Sequence, residues 1–96
     1  MRVLVTPTFD RSVKKLQRKQ KADLDAAVET VVGDTEIGEA KVGDLIGIRV
    51  YKFHMAEQLC LLSYRVLDEN SIKLLTVGSH ENFSVSVKAK EEPVKP

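Results

Sequence analysis

The sequence predicts a single α+β domain, in which an N-terminal strand and a helical hairpin pack on an antiparallel β-sheet in the order β-α-α-β-β-β. Three observations support this prediction: a short strand-like run opens the chain, apolar residues then recur at helical spacing up to residue 33, and three strand-like runs follow residue 47. Helices that precede a group of strands are typical of proteins whose helices cover one face of the sheet. The other face, called the helix-free face below, is expected to meet solvent or a partner.

The first strand and the first helix are predicted between residues 2 and 18. The run "RVLVT" places two valines on one side of a short strand. Thr8 is the expected N-cap of the helix, and Asp10 suits the positive end of the helix dipole. Apolar residues at helical spacing extend the predicted helix to about Arg18, and they are Phe9, Val13 and Leu16.

The second helix is predicted to end at Gly33, and its apolar stripe consists of Leu24, Ala27, Val28 and Val31. The two short helices would form a helical hairpin. The following segment, "GDTEIGEAKVGDLIG", contains four of the five glycines and little periodicity. We therefore expect a loop from residue 33 to residue 47.

Three strands are predicted after this loop, in the runs "IRVYKFH", "LCLLSYRVL" and "IKLLTV". The short polar segments "MAEQ" and "DEN" between them suit tight turns, so the strands should form an antiparallel meander. The middle strand is the most apolar, and we expect Leu62 and Tyr64 in the core. The domain should span residues 1–87, in which "VSV" at 85–87 is a candidate edge strand, and residues 88–96 should form a flexible tail.

Composition restricts the class of protein. The chain has 96 residues and a net charge of +1, but six basic residues lie between Arg11 and Lys21 and six acidic residues between Ala22 and Ala40. The basic run can attract phosphates or an acidic partner. No apolar run approaches the roughly 18 residues of a membrane span, and the N-terminus lacks a secretory signal, so we expect a cytoplasmic protein without a membrane partner.

Cysteine usage and motifs exclude several chemistries. Cys60 is the only cysteine, so no internal disulfide can form, and its apolar neighbours predict a buried, inert thiol. The chain has no phosphate-binding glycine loop, no HExxH and no paired thiolates. We therefore expect neither a metal nor a cofactor.

Basic side chains in the strands predict a cationic site on the helix-free face. If Ile48 and Val50 point into the core, Arg49 and Tyr51 point to the helix-free face, which also receives Arg65 from the central strand. The directions of Lys52 and His54, near the end of their strand, do not follow from the pattern. Because the strands are neighbours, one patch could bring together Arg49, Lys52, His54, Arg65 and His80.

Such a patch suits a phosphodiester substrate. Arginine and lysine hold phosphate and stabilise negative charge in the transition state, and a histidine transfers protons near neutral pH. RNA supplies its own nucleophile, the 2′-hydroxyl, so its cleavage needs no metal. Each of the five residues, taken alone, is more often an ordinary surface side chain. Further candidate contacts with the substrate are Tyr51, Lys14, Lys15 and Arg18.

The order of elements, together with "GDLIGIRVYKFH", "LLSYRV" and "VGSHENF", resembles the RelE/ParE toxin superfamily of type II toxin–antitoxin modules over roughly residues 3–83. The ending "GSHENF" is similar to the Gly-x-His-x-x-Phe ending of YafQ-like ribonucleases. That likeness implies a catalytic role for His80 and a substrate-positioning role for Phe83. The basic or histidine position that the family has late in the second strand corresponds to Lys52 or His54, and Arg49 matches a frequent basic position.

The resemblance implies a RelE-like fold and a small cytoplasmic toxin that a cognate antitoxin neutralises. RelE-like members cleave mRNA on the ribosome without metal, whereas ParE-like members inhibit DNA gyrase. Three hypotheses therefore stay open: a ribosome-dependent endoribonuclease that inhibits translation, a gyrase inhibitor, and a weakened relative that only binds its antitoxin. The expected partners are the antitoxin, the ribosome and mRNA, and operator DNA would be contacted only through the antitoxin complex.

Overall fold

The structure is a computed structural model that describes residues 1–79. It has five strands, two α-helices and one 3-10 turn in these residues. In chain order they are β1 (Arg2–Val5), α1 (Pro7–Lys14), α2 (Arg18–Gly33), β2 (Glu39–Ala40), the 3-10 turn (Gly43–Leu45), β3 (Arg49–Met55), β4 (Gln58–Asp68) and β5 (Ser71–Ser79). The predicted α+β class and the predicted order are confirmed, and the segment expected to be only a loop also contributes the two-residue strand β2.

The five strands form one mixed sheet in the order β1-β5-β4-β3-β2. The pairs β2–β3, β3–β4 and β4–β5 are antiparallel, which confirms the predicted meander. β1 joins the opposite edge of the sheet and runs parallel to β5. β4 is therefore the central strand of the sheet, as its apolar sequence predicts.

The prediction that Thr8 caps α1 is wrong, because Thr6 caps this helix. The hydroxyl of Thr6 accepts a hydrogen bond from the backbone N–H of Phe9 at 3.1 Å and donates one to the carbonyl of Leu75 at 2.7 Å. Pro7 then occupies the first helical position, where its missing N–H costs nothing. Thr6 is fully buried. It thus joins the start of α1 to β5.

The first helix is also shorter than predicted, since α1 ends at Lys14 rather than near Arg18. Leu16 still packs against the core, although it lies in the turn between the helices. The backbone N–H of Gln17 donates to the side-chain oxygen of Gln20 at 2.8 Å, which satisfies one of the free donors at the start of α2. The apolar stripe continues through the turn, which explains why the sequence pattern overestimates the length of α1.

The main core lies between the helices and one face of the sheet, called the helix face below. Leu62 and Tyr64 are completely buried there, as predicted. They pack with residues from both helices and the neighbouring strands, namely Phe9, Leu24, Val31, Met55, Cys60, Ile72, Leu74 and Val77. The helices therefore cover a single face of the sheet, which leaves the other face to be described separately.

A second cluster lies on the helix-free face and consists of Ile48, Val50, Leu61 and Leu75. Leu75 reaches this face because β5 contains an irregularity: Ser63 pairs with Thr76, but Tyr64 pairs with Leu74, which leaves Leu75 as an extra residue. The helix-free face is expected to meet solvent or a partner, but its centre is buried within the chain itself. Exposed groups on this face lie toward its ends.

Candidate nucleic-acid interface

Two exposed side chains that could contact RNA lie at one end of the helix-free face. Lys52 of β3 is paired with Leu61, a member of the second cluster, and His54 is paired with Leu59. Because residues two apart in a strand share a face, Lys52 and His54 project on the same side, about 7 Å apart. Both are exposed. The structure therefore decides their direction, which the sequence left open.

A second basic group lies at the other end of the helix-free face. Arg65 follows Leu61 and Ser63 at alternate positions of β4, and its cross-strand partner is Lys73 of β5. The guanidinium of Arg65 lies directly over Gly47, where a Cβ atom would collide with it. Gly47 also has a φ of +89°, so this position favours glycine for two reasons. The predicted direction of Arg65 is confirmed.

Lys73 is a candidate that the sequence analysis missed. It is half-buried and stands beside Arg65 on the same face. The sequence could have indicated it, because Lys73 interrupts the apolar run "IKLLTV" just as Arg65 interrupts "LLSYRV".

The prediction that Arg49 and Tyr51 point to the helix-free face is wrong. Arg49 pairs with Tyr64 and Tyr51 pairs with Leu62, and both partners belong to the main core under the helices. The prediction assumed that Ile48 and Val50 enter this main core. Their burial has a different origin, because they form the second cluster on the opposite face. Side chains in a strand alternate between the two faces, so assigning Ile48 and Val50 to the wrong face also assigned Arg49 and Tyr51 to the wrong face.

Arg49 holds the loop between α2 and β2. Its Nη1 donates to the carbonyl of Glu36 at 3.1 Å and to the carbonyl of Gly38 at 2.8 Å. Beside it, the Tyr64 hydroxyl donates to the carbonyl of Thr35 at 2.8 Å and accepts from the N–H of Gly38 at 3.0 Å. We call this arrangement the loop clamp. It gives Arg49 a structural role that accounts for its place in the strand.

Burial affects the ionisation of two groups on the helix face. It raises the pKa of the Tyr64 hydroxyl above its usual 10.0, and the hydrogen bond from Gly38 and the charge of Arg49 oppose this shift only in part. Burial likewise raises the pKa of the Cys60 thiol above its usual 9.0. The tyrosine therefore stays protonated and can donate to Thr35, and Cys60 is the buried, unreactive thiol that the sequence predicts.

The basic run on the helices is separate from the cationic groups of the sheet. Lys14, Lys15 and Arg18 are all exposed, and the ammonium of Lys14 lies 3.1 Å from the carboxylate of Asp10. These residues belong to α1, the turn after it and the start of α2, on the opposite side of the sheet from Lys52. A substrate on the helix-free face would not reach them. They mark a second surface.

A groove of 210 Å³ runs between α2 and β3, next to His54. Its sheet side is formed by His54 and by the rings of Tyr51 and Phe53, which stack with centroids 6.2 Å apart and planes at 5°. Its helix side is formed by Asp23, Ala26, Ala27 and Thr30. Aromatic rings beside a cationic strand end are the surface on which proteins stack single-stranded bases.

His80 and Phe83 lie outside the described residues, as do the predicted edge strand at 85–87, the boundary after residue 87 and the tail. The described chain ends at Ser79, which pairs with Cys60, whose partner on the other side is Phe53. Within residues 1–79 no three histidine, cysteine or carboxylate side chains are grouped as they would be to hold a metal ion. None of the helices in that range is both long and apolar enough to cross a membrane.

Comparison with solved structures supports the fold. The isolated toxin RelE of E. coli superimposes with a TM-score of 0.65 at 20% identity, over 92% of this chain and 93% of that one. A mutant RelE in the free state gives a TM-score of 0.68 at 20% identity, over 92% and 95%. A chain of the intact E. coli RelBE toxin–antitoxin complex gives a TM-score of 0.65 at 19% identity, over 81% of this chain and 94% of that one. No curated protein sequence matches the chain.

Two helices on a five-stranded mixed sheet thus define a protein with the RelE fold. The family model for ParE-like toxins of type II bacterial toxin–antitoxin systems matches residues 3–88. The chain belongs to this family, within the RelE/ParE toxin superfamily, as its sequence motifs indicate.

Proposed function

We propose that this toxin is a ribosome-dependent mRNA endoribonuclease that needs no metal and inhibits translation in the cytoplasm. The observation that supports this proposal most strongly is the placement of Lys52 and His54 on one face of β3, exposed and side by side. No acidic residue occurs in the three strand segments that form that face, which are residues 48–54, 59–65 and 73–78. A phosphodiester would therefore meet positive charge there without competing carboxylates from these strands.

His80 completes the proposed proton-transfer pair. It follows Ser79, the last described residue of β5, in the sequence. Ser79 is separated from Phe53 by one strand, a distance of about 10 Å at the usual strand spacing, and His54 is the next residue after Phe53. We propose that the scissile phosphate binds over the end of β4, where both histidines would act on it.

The proposed reaction is an internal transfer within RNA. One histidine removes the proton of the 2′-hydroxyl, whose oxygen attacks the adjacent phosphorus. The bond from phosphorus to the 5′-oxygen breaks, and the other histidine donates a proton to that oxygen. The products are a 2′,3′-cyclic phosphate and a 5′-hydroxyl end, so atoms and charge balance without a metal or a cofactor.

Lys52 would stabilise the negative charge of the phosphate in this reaction, whereas Arg65 lies at the other end of the helix-free face and would not contact the same phosphate. Arg49 is removed from the catalytic set, because its guanidinium holds the loop clamp on the other face. Tyr51 stays a candidate for substrate contact by a different route: a base next to the scissile phosphate could stack on the Tyr51–Phe53 pair in the groove beside His54. Phe83 would support the substrate near His80.

The antitoxin is proposed to bind on the helices and the sheet edges, through an acidic or amphipathic helix or an added strand. The exposed basic run with Lys14, Lys15 and Arg18 is the feature that motivates this site. Affinity should fall as salt rises, because exposed charge pairs are screened. Binding that survives reversal of all three residues to glutamate would place the antitoxin elsewhere.

Inhibition of DNA gyrase is the alternative function, and the match to the ParE-like family favours it. The two functions differ in what they require of the histidines, since a protein that only binds gyrase needs no proton transfer. Primer extension on cellular mRNA after induction separates them. New 5′ ends inside translated codons support the ribonuclease, whereas intact mRNA with inhibited DNA supercoiling supports the gyrase inhibitor.

A further inference from the structure

We infer that Asp23 is a positioning residue for cleavage, because its hydrogen bond to the turn after β3 holds His54 at the proposed RNA site. This inference rests on the proposed ribonuclease function and adds a residue of α2 to it. Asp23 does not contact the reacting atoms in this proposal. It acts through the backbone of the turn that follows His54.

A hydrogen bond between distant parts of the sequence joins α2 to the turn between β3 and β4. The backbone N–H of Ala56 donates to Oδ2 of Asp23 at 2.8 Å. The same oxygen lies 3.8 Å from the ammonium of Lys19, an exposed residue one turn earlier in α2. A hydrogen bond to a charged acceptor is stronger than one between neutral groups. Asp23 therefore fixes the backbone two residues after His54.

The turn has a backbone conformation that its residues disfavour. Met55 pairs with Gln58, so the loop consists of Ala56 and Glu57 alone, and their φ angles are 51° and 71°. Hairpin turns with two positive φ angles favour asparagine and glycine, because this region is unfavourable for other residues. In the described part of the chain no other residue except glycine has a positive φ. Such conformations persist where surrounding contacts hold them, and the bond to Asp23 is one such contact.

The turn also determines the face on which His54 lies. Turn geometry sets the register of a hairpin, and a slip of one residue would move His54 to the helix face. The outer edge of β3 gives little support against such a slip. β2 pairs with Arg49 and Val50, which leaves residues 51–55 without a neighbouring strand on that side in the described part of the chain. Pairing with β4 and the bond to Asp23 therefore hold this end of the strand.

The test measures single-turnover cleavage of mRNA on purified ribosomes by the full chain, over a range of ribosome concentrations. Asp23→Ala removes the acceptor and should lower the maximal rate by about 10-fold at an unchanged half-saturating concentration, because a small misplacement of a catalytic group slows the reaction. Asp23→Asn keeps an acceptor oxygen for Ala56 and should stay within about threefold of the wild type. The matched control Lys19→Gln removes the ion pair but not the hydrogen bond, so it should leave the rate unchanged.

Two further readouts separate positioning from a general loss of stability. Hydrogen exchange of the Ala56 amide should be faster in Asp23→Ala than in Lys19→Gln, whereas the amides of β4 should stay equally protected in both variants. Glu57→Gly relieves one of the two positive φ angles. Added to Asp23→Ala, it should restore part of the lost cleavage rate, and a double-mutant cycle measures this coupling.

The outcomes distinguish this inference from the proposed function. Equal maximal rates for Asp23→Ala and the wild type would overturn the positioning role and leave the proposed function intact. Loss of the same size in Asp23→Asn and in Asp23→Ala, or no restoration by Glu57→Gly, would also overturn the positioning role alone. Failure of the wild type to cleave mRNA on the ribosome would overturn both.

Discussion

The two faces of the sheet carry similar basic side chains that serve different purposes. On the helix face, Arg49 donates to two loop carbonyls and lies beside Tyr64, so its charge is used to hold the segment before β2. On the helix-free face, Lys52 and His54 are exposed on a strand whose neighbours are apolar. The difference shows that a basic residue in a strand indicates function only after its hydrogen-bond acceptors are known.

The largest expected effect concerns proton transfer on the helix-free face. His80→Ala and His54→Ala should each lower mRNA cleavage by about 10²–10⁴-fold, since a positioned acid or base contributes this much. Growth arrest and primer extension measure the activity, and antitoxin binding serves as the control for folding.

Full toxicity of His80→Ala at equal expression would contradict the histidine mechanism. Gyrase inhibition or simple antitoxin binding would then be the better hypothesis.

The next largest effect concerns the core on the helix face. Leu62→Ala should lower the free energy of unfolding by about 2–5 kcal/mol, because it leaves a cavity in the completely buried centre of β4. The matched control is Leu59→Ala in the same strand, where the leucine is 37% exposed and the loss should be much smaller. Denaturant titration of both variants measures the difference, and equal losses would contradict the assignment of the core.

Substitutions of Arg49 and Lys52 compare the roles of basic residues on the two faces of the sheet. Arg49→Gln should lower stability by about 1–3 kcal/mol, because two charge-assisted hydrogen bonds of the loop clamp are lost. Lys52→Gln should leave stability nearly unchanged but reduce cleavage. Thermal unfolding and primer extension on both variants test this crossed pattern. A normally stable Arg49→Gln that has lost cleavage would return Arg49 to the catalytic set.

Alkaline pH should weaken the helix face through Tyr64. Because burial raises the pKa of its hydroxyl, the folded chain retains this proton when the unfolded chain releases it. The contribution to stability is complete below pH 10.0 and falls as pH rises toward the raised pKa, and Cys60 acts in the same direction from pH 9.0. Denaturant unfolding between pH 8 and 11 should show a smaller decline for Tyr64→Phe than for the wild type, and equal declines would contradict this role of Tyr64.

The smallest effect concerns the turn after His54. Ala56 and Glu57 have φ angles of 51° and 71°, a region that costs side-chain-bearing residues energy. Glu57→Gly should therefore stabilise the chain by up to about 1 kcal/mol, partly offset by the entropy of glycine. Glu57→Ala removes the same charge without relieving the backbone and is the control. Equal melting temperatures for these two variants would show that the turn is unstrained.

The sequence predicted the elements more accurately than the side-chain directions. The meander was predictable because turn residues separate three strand-like runs, and the core position of Leu62 followed from the apolar strand around it. The two ends of α1 were not predictable. Leu16 continues the helical spacing into a turn after the helix, and Thr6 rather than Thr8 forms the hydrogen bonds with Phe9 and Leu75 at its start. The direction of Arg65 was predicted, while Lys73 was missed.

By itself, the sequence determined the α+β class, the order of the elements and the membership in the RelE/ParE superfamily, because these depend on local patterns along the chain. Tertiary structure alone decided which face each basic residue occupies. Alternation in a strand places Ile48 and Arg49 on opposite faces, but it does not say which face the helices cover when both faces bury apolar residues. Because α2 packs against one face of β3, Arg49 lies on that face in the loop clamp and Lys52 lies on the other face at the proposed RNA site.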